Sequence, residues 1–93
     1  MENKNTLIGQ LRVMAAMAPH ATIARYINQA ANAICRNEIA ESDSEEVIAA
    51  LDLMIEECRS REAGILRGAV LELEKIVEDQ REGIVYLPLI HVG

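Results

Sequence analysis

Phenylalanine and tryptophan are absent from this 93-residue chain, and Tyr26 and Tyr86 are its only aromatic residues. Apolar residues still make up 51% of it, so Ile, Leu, Val, Met and Ala must fill the core. Such side chains suit closely packed helices, because Ala lets backbones approach and flexible Met fills gaps. A core without large anchors is thin, which predicts further burial by self-association. Cysteine is scarce as well. Cys35 and Cys58 stand at no framework spacing, so buried free thiols are expected rather than a disulfide. No apolar run reaches the roughly 20 residues of a membrane-spanning helix. The start, Met1-Glu2-Asn3-Lys4-Asn5, is too polar for a signal peptide. These absences lead to the expectation of one cytoplasmic domain without membrane association. Size and simplicity suggest a bacterial or phage-like setting.

The residues that carry chemistry are equally sparse. His20 and His91 belong to no H-x-x-x-H, E-x-x-H or C-x-x-C unit, so zinc and di-iron signatures are missing. Gly64 and Gly68 stand inside a helical pattern with no Lys-Ser or Lys-Thr after them, which excludes a phosphate loop. Nothing places Cys35 or Cys58 beside a histidine as an activated nucleophile. All-helical pyrophosphatases hold magnesium with a Glu-x-x-Glu and a later Glu-x-x-Asp. Glu38 and Glu41 give the first half, but no Glu precedes Asp43, Asp52 or Asp79 by three residues. The chain is therefore expected not to be an enzyme and to need no cofactor or metal.

What the sequence has is unevenly placed charge. Through residue 37, Lys4, Arg12, Arg25 and Arg36 stand against Glu2 alone, a balance of +3. The remainder carries five basic and fourteen acidic residues, a balance of −9 that brings the net charge to −6. That sign argues against non-specific nucleic-acid binding, which needs clustered Lys and Arg. The asymmetry also suits two ends that attract each other, or a neighbouring subunit.

Apolar spacing predicts four helices. The first covers about 6–18, with Leu7, Leu11, Met14 and Ala18 on its stripe and Pro19 ending it. The second covers about 21–40, with Ile23, Ile27, Ala30 and Ile34 on its face. Overlapping capping boxes, Ser42 with Glu45 and Asp43 with Glu46, predict a third from about 44 to 60. Its stripe is Val47, Leu51, Met54 and Cys58. A break around 60–64 is favoured over continuity, and a fourth helix follows at about 65–82, capped by Gly83. Residues 84–93 hold seven aliphatic or aromatic side chains, with Pro88 among them, and read as an extended tail. The expected fold is all-α: a compact bundle of three to four helices with an apolar extended C-terminus, in one domain over 1–93.

Two features stand above this background. Residues 23–36 resemble a helix-turn-helix core, with an Ile-Ala start, an Asn at the turn, and Ala-Ile before Arg36 on the second helix. The resemblance implies a small DNA-binding regulator using residues 21–37; one uninterrupted helix is the favoured reading. The second feature is acidic. Glu72, Glu74, Glu78, Asp79 and Glu82 crowd the end of the fourth helix, placing like charges at i,i+4 and opposing the helix dipole. Arg12, Arg25 and Arg36 are the candidates to compensate them. Together with Tyr86, Leu87, Leu89 and Ile90 of the tail, these acids are the candidate partner-binding residues. The leading expectation is a non-enzymatic module that binds a protein partner of unknown identity, as adaptor, chaperone or inhibitor, and forms a homodimer. A DNA-binding regulator is the first alternative, and an acidic decoy of a nucleic-acid-binding protein is the second.

Overall fold

The structure is a computed structural model that describes residues 4–82 with their side chains. Four helices follow one another: α1 Lys4–Met17, α2 Ala21–Arg36, α3 Glu41–Glu57 and α4 Ser60–Val92. Helix α4 runs past Gly83 instead of being capped there, and the side chains of the expected extended tail, residues 84–93, lie outside the described residues. No strand forms among the described residues, and the all-α bundle is as expected.

Helices α1 and α2 form one antiparallel hairpin, α3 and α4 a second, and the core lies between them. Pro19 separates the first pair, since it has no amide to continue α1. The buried line of α1 is Leu7, Leu11 and Ala15, and α2 contributes Ile27, Ala30, Ala31 and Ile34. From the other hairpin come Val47 and Leu51 of α3, and Leu66, Ala69, Leu73 and Ile76 of α4. Ala30, Ala31 and Ala69 are completely buried. Small side chains at helix contacts replace the missing aromatic anchors by letting backbones approach.

Helix boundaries depart from the sequence reading at three further places. Helix α2 stops at Arg36, four residues early, because Asn37 adopts the left-handed conformation at φ 58° and ψ 39°. The amide of Glu38 then reaches the Ala33 carbonyl at 3.1 Å, and that of Asn37 reaches Ile34 at 3.3 Å. This pair of bonds is the Schellman arrangement, which Asn tolerates better than most residues. Helix α3 starts at Glu41 instead of 44, with Ala40 at its N-cap and no side-chain cap. Neither expected capping box forms. Ser44 is buried in the first turn and its hydroxyl donates to the Glu41 carbonyl at 2.6 Å.

A tertiary contact decides this start. The Gln80 side chain of α4 accepts from the Ile39 amide at 2.9 Å and donates to the Ile39 carbonyl at 2.8 Å. It pairs with that backbone as a neighbouring strand would, and so fixes where the chain turns into α3. Beside it, Arg81 forms an exposed ion pair with Glu41. The third departure is the break between α3 and α4. It falls at Cys58 and Arg59, ahead of the glycines, and Gly64 and Gly68 sit inside α4.

Tyr26 ties α2 to α3 by donating its hydroxyl to Glu46 at 2.7 Å. That bond raises the phenol above its ordinary value of 10.0, helped by desolvation and by the negative charge of Glu46, with Arg25 opposing. A group whose folded pKa is raised stabilises the fold below its unfolded pKa and ceases to as pH climbs through the folded one. In a Tyr86→Phe background, the phenolate absorbance of Tyr26 should therefore appear above pH 10. Glu46→Gln should bring that midpoint down. An unmoved midpoint would show that the bond is not formed in solution.

Candidate functional site

The candidate acidic residues divide into two groups on α4. At 100° per residue, Glu74, Glu78 and Glu82 share one exposed face, whereas Glu72 and Asp79 stand on another. Glu72 is half-buried, and its Oε2 is buried with no hydrogen-bond donor on it among the described residues. Tyr86, Leu87, Leu89 and Ile90 lie outside the described residues.

The arginines expected to compensate these acids are in part engaged elsewhere. Arg12 donates to Asn28 at 3.1 Å and to Asn32 at 2.7 Å, which fastens α1 to α2. Arg25 lies over the Tyr26 ring, 5.6 Å from its centroid, at cation–π distance. Arg36 closes the last turn of α2, where a cation suits the negative end of the helix dipole. Among the described residues the ion pair that forms is Arg81 with Glu41, an acid outside the cluster. Carboxylates on the Glu74 face are thus left facing solvent.

An apolar groove at one end of the bundle was not read from the sequence. It encloses about 1020 Å³ between α1 and the start of α2 on one side and the α3–α4 corner on the other. Met14 and Met17 of α1, Ile23 of α2, Met54 of α3 and Ile65 of α4 line it, with Cys58 at the corner. Met17 is 78% exposed and Val13 beside it 59%. Three of the chain's four methionines meet here. Met14 and Met54 look like ordinary core stripe in sequence, and in the structure both are only half-buried. The one available signal was methionine density, since unbranched thioethers make adaptable binding surfaces.

The polar groups of the groove are few. Gln10 lines it, and its Oε1 is buried with no hydrogen-bond donor on it among the described residues. Arg61, Glu57 and Glu62 stand at the α3–α4 corner. Burial pushes the Cys58 thiol up, as do the charges of Glu62 and Glu57, so it is a poor nucleophile. Cys35 is exposed, which corrects the expectation that both thiols are buried. Its position on α2 turns it away from the Ile27–Ile34 face, an orientation set by packing rather than composition.

Among the described residues, no group of three or more His, Cys, Asp and Glu side chains is placed to hold a metal ion. No helix there is long and apolar enough to cross a membrane. The segment resembling a helix-turn-helix lies within the single uninterrupted helix Ala21–Arg36, so the turn that motif requires is not formed. No protein-family model matches the chain, and no curated protein or solved structure is significantly similar to it.

Proposed function

We propose that the protein is a non-enzymatic protein-binding module, an adaptor, chaperone or inhibitor that works as a homodimer. Its groove takes an apolar stretch of polypeptide. The observation behind this reading is the methionine-lined groove, open to solvent at Met17 and Val13. Exposed apolar surface is costly to leave in water, and soluble proteins concentrate it where they bind. The low polarity of the walls suits aliphatic side chains.

A labelled synthetic peptide of sequence Ile-Val-Tyr-Leu-Pro-Leu-Ile-His-Val, which is that of residues 84–92, is the probe. Its fluorescence anisotropy should rise saturably on adding the full chain. Met17→Asp should weaken binding about tenfold or more, the loss expected for about 1.4 kcal/mol. Met17 is exposed, so the variant keeps its fold. Equal binding by both proteins would place the peptide elsewhere, and no binding by either would remove the reading.

A further inference from the structure

The free face of α4 has a charge order that its own fold does not explain. Arg61 and Arg67 occupy its first half, and Glu74, Glu78 and Glu82, with Lys75 among them, its second. The excess of acid at the end opposes the helix dipole, which favours acids at the start and bases at the end. All six side chains are exposed. Between the two halves stands Leu71, 66% exposed, a large apolar residue in the middle of a charged face. Gly64 lies on the same face, and a Cβ built there meets nothing within 4 Å. The interior therefore does not require a glycine at this position.

We propose that this face binds a second copy of the chain, α4 against α4, antiparallel about a two-fold axis at Leu71. In such a pairing, residue 71 + n of one copy stands at the height of 71 − n of the other, and each flank meets the same flank of its mate. At 100° per residue, Arg67, Glu74 and Glu78 fall on one side of Leu71. Gly64, Gly68, Lys75, Glu82 and Arg61 fall on the other. On the first flank, Arg67 is level with position 75 and so next to Glu74 of the second copy. On the second flank, Arg61 is level with position 81 and next to Glu82 of the second copy. The symmetry makes each pair twice. Lys75 stands at the height of Arg67 of the second copy but on the other flank, where Gly64 and Gly68 leave room for its stem to turn away from that cation. Each basic half then covers an acidic half, and the two Leu71 side chains meet at the axis.

Two helices paired over this length bury on the order of 1,000 Å², the low end of interface sizes, where weak and transient associations sit.

Sedimentation of the full chain at increasing concentration tests the inference. Wild type should pass from monomer to dimer in the micromolar range, less readily at high salt. Arg67→Glu alone and Glu74→Arg alone should each raise the dissociation constant about tenfold or more, because each sets like charges opposite one another twice. An equimolar mixture of these two variants should associate as wild type does, since the heterodimer has both pairs in matched sign. Leu71→Asp should leave the protein monomeric and helical. A wild type still monomeric at tens of micromolar would overturn the proposal. So would a mixture no more associated than its components, which would mean that the charges act within each copy. A monomer that still binds the labelled peptide through Met17 would remove this inference and leave the groove reading intact. A charge-dependent dimer that binds no peptide would do the reverse.

Discussion

Leu51→Ala should lower the free energy of unfolding by about 2–4 kcal/mol, the usual cost for a buried leucine. Leu51 is 0% exposed at the centre of α3, with Val47 one turn before it. The size of the loss depends on how far the surroundings collapse into the vacated space. The core it belongs to is aliphatic and includes Ala15, Ala30, Ala31, Ala33 and Ala69, whose short side chains cannot move in to fill a hole. That places the expectation in the upper part of the range. Urea denaturation followed by helical circular dichroism measures it, and the slope with denaturant should stay unchanged. A loss under about 1 kcal/mol would mean that the α3 face is not packed as described.

Gln80→Ala should cost about 1–3 kcal/mol, although it removes no core side chain. The substitution deletes both hydrogen bonds to Ile39, a buried residue, and leaves its amide and carbonyl to find other partners. An unpaired buried polar group costs more than the bond itself contributes. Gln80→Glu separates the two halves of the contact. A carboxylate can accept from the Ile39 amide but cannot donate to the Ile39 carbonyl, so this variant should also be destabilised at neutral pH. The neighbouring Arg81→Ala serves as the comparison. Arg81 and Glu41 are both exposed, and such surface ion pairs contribute less than about 1 kcal/mol. Equal effects of Gln80→Ala and Arg81→Ala would show that the amide clamp does not hold the α2–α3 connection.

The contrast between these two positions shows how far the fold could be read in advance. Leu51 was legible because its stripe repeats at helical spacing, and periodicity is carried by neighbours within one or two turns. Gln80 was not, since nothing near it in sequence distinguishes it from any polar residue on a helix. Its partner lies 41 positions away. The same reasoning covers the misplaced start of α3. Ser42, Asp43, Glu45 and Glu46 make two acceptable capping boxes, but the clamp on Ile39 starts the helix earlier. Local propensity is weaker than a paired buried backbone.

The candidate sites divide along the same line. The acidic residues of α4 were visible in sequence, and so was their conflict with the helix dipole. Leu71, Gly68 and Arg67 share a face with their exposed members in any helix over 65–82, but the addition of Arg61 and Gly64 to that face required α4 to begin at Ser60. The break expected around 60–64 leaves those two out. The groove was invisible for a different reason. Met14, Met54 and Ile23 lie on three helices, and each has the spacing of a core residue on its own helix.

By itself, the sequence determined that this protein is helical, where Pro19 ends the first helix, and that Leu7, Leu11, Ile27, Ala30, Ile34, Val47 and Leu51 face inward. These are consequences of dihedral limits and of a 3.6-residue repeat, both of which act within a few residues. Tertiary structure alone decided where α3 begins, which arginines are engaged, and that the two hairpins leave an open, methionine-lined end. Each of those depends on side chains brought together across 16 to 41 positions of chain, or on space that no residue fills. Distances of that kind are set by packing, which no local pattern encodes.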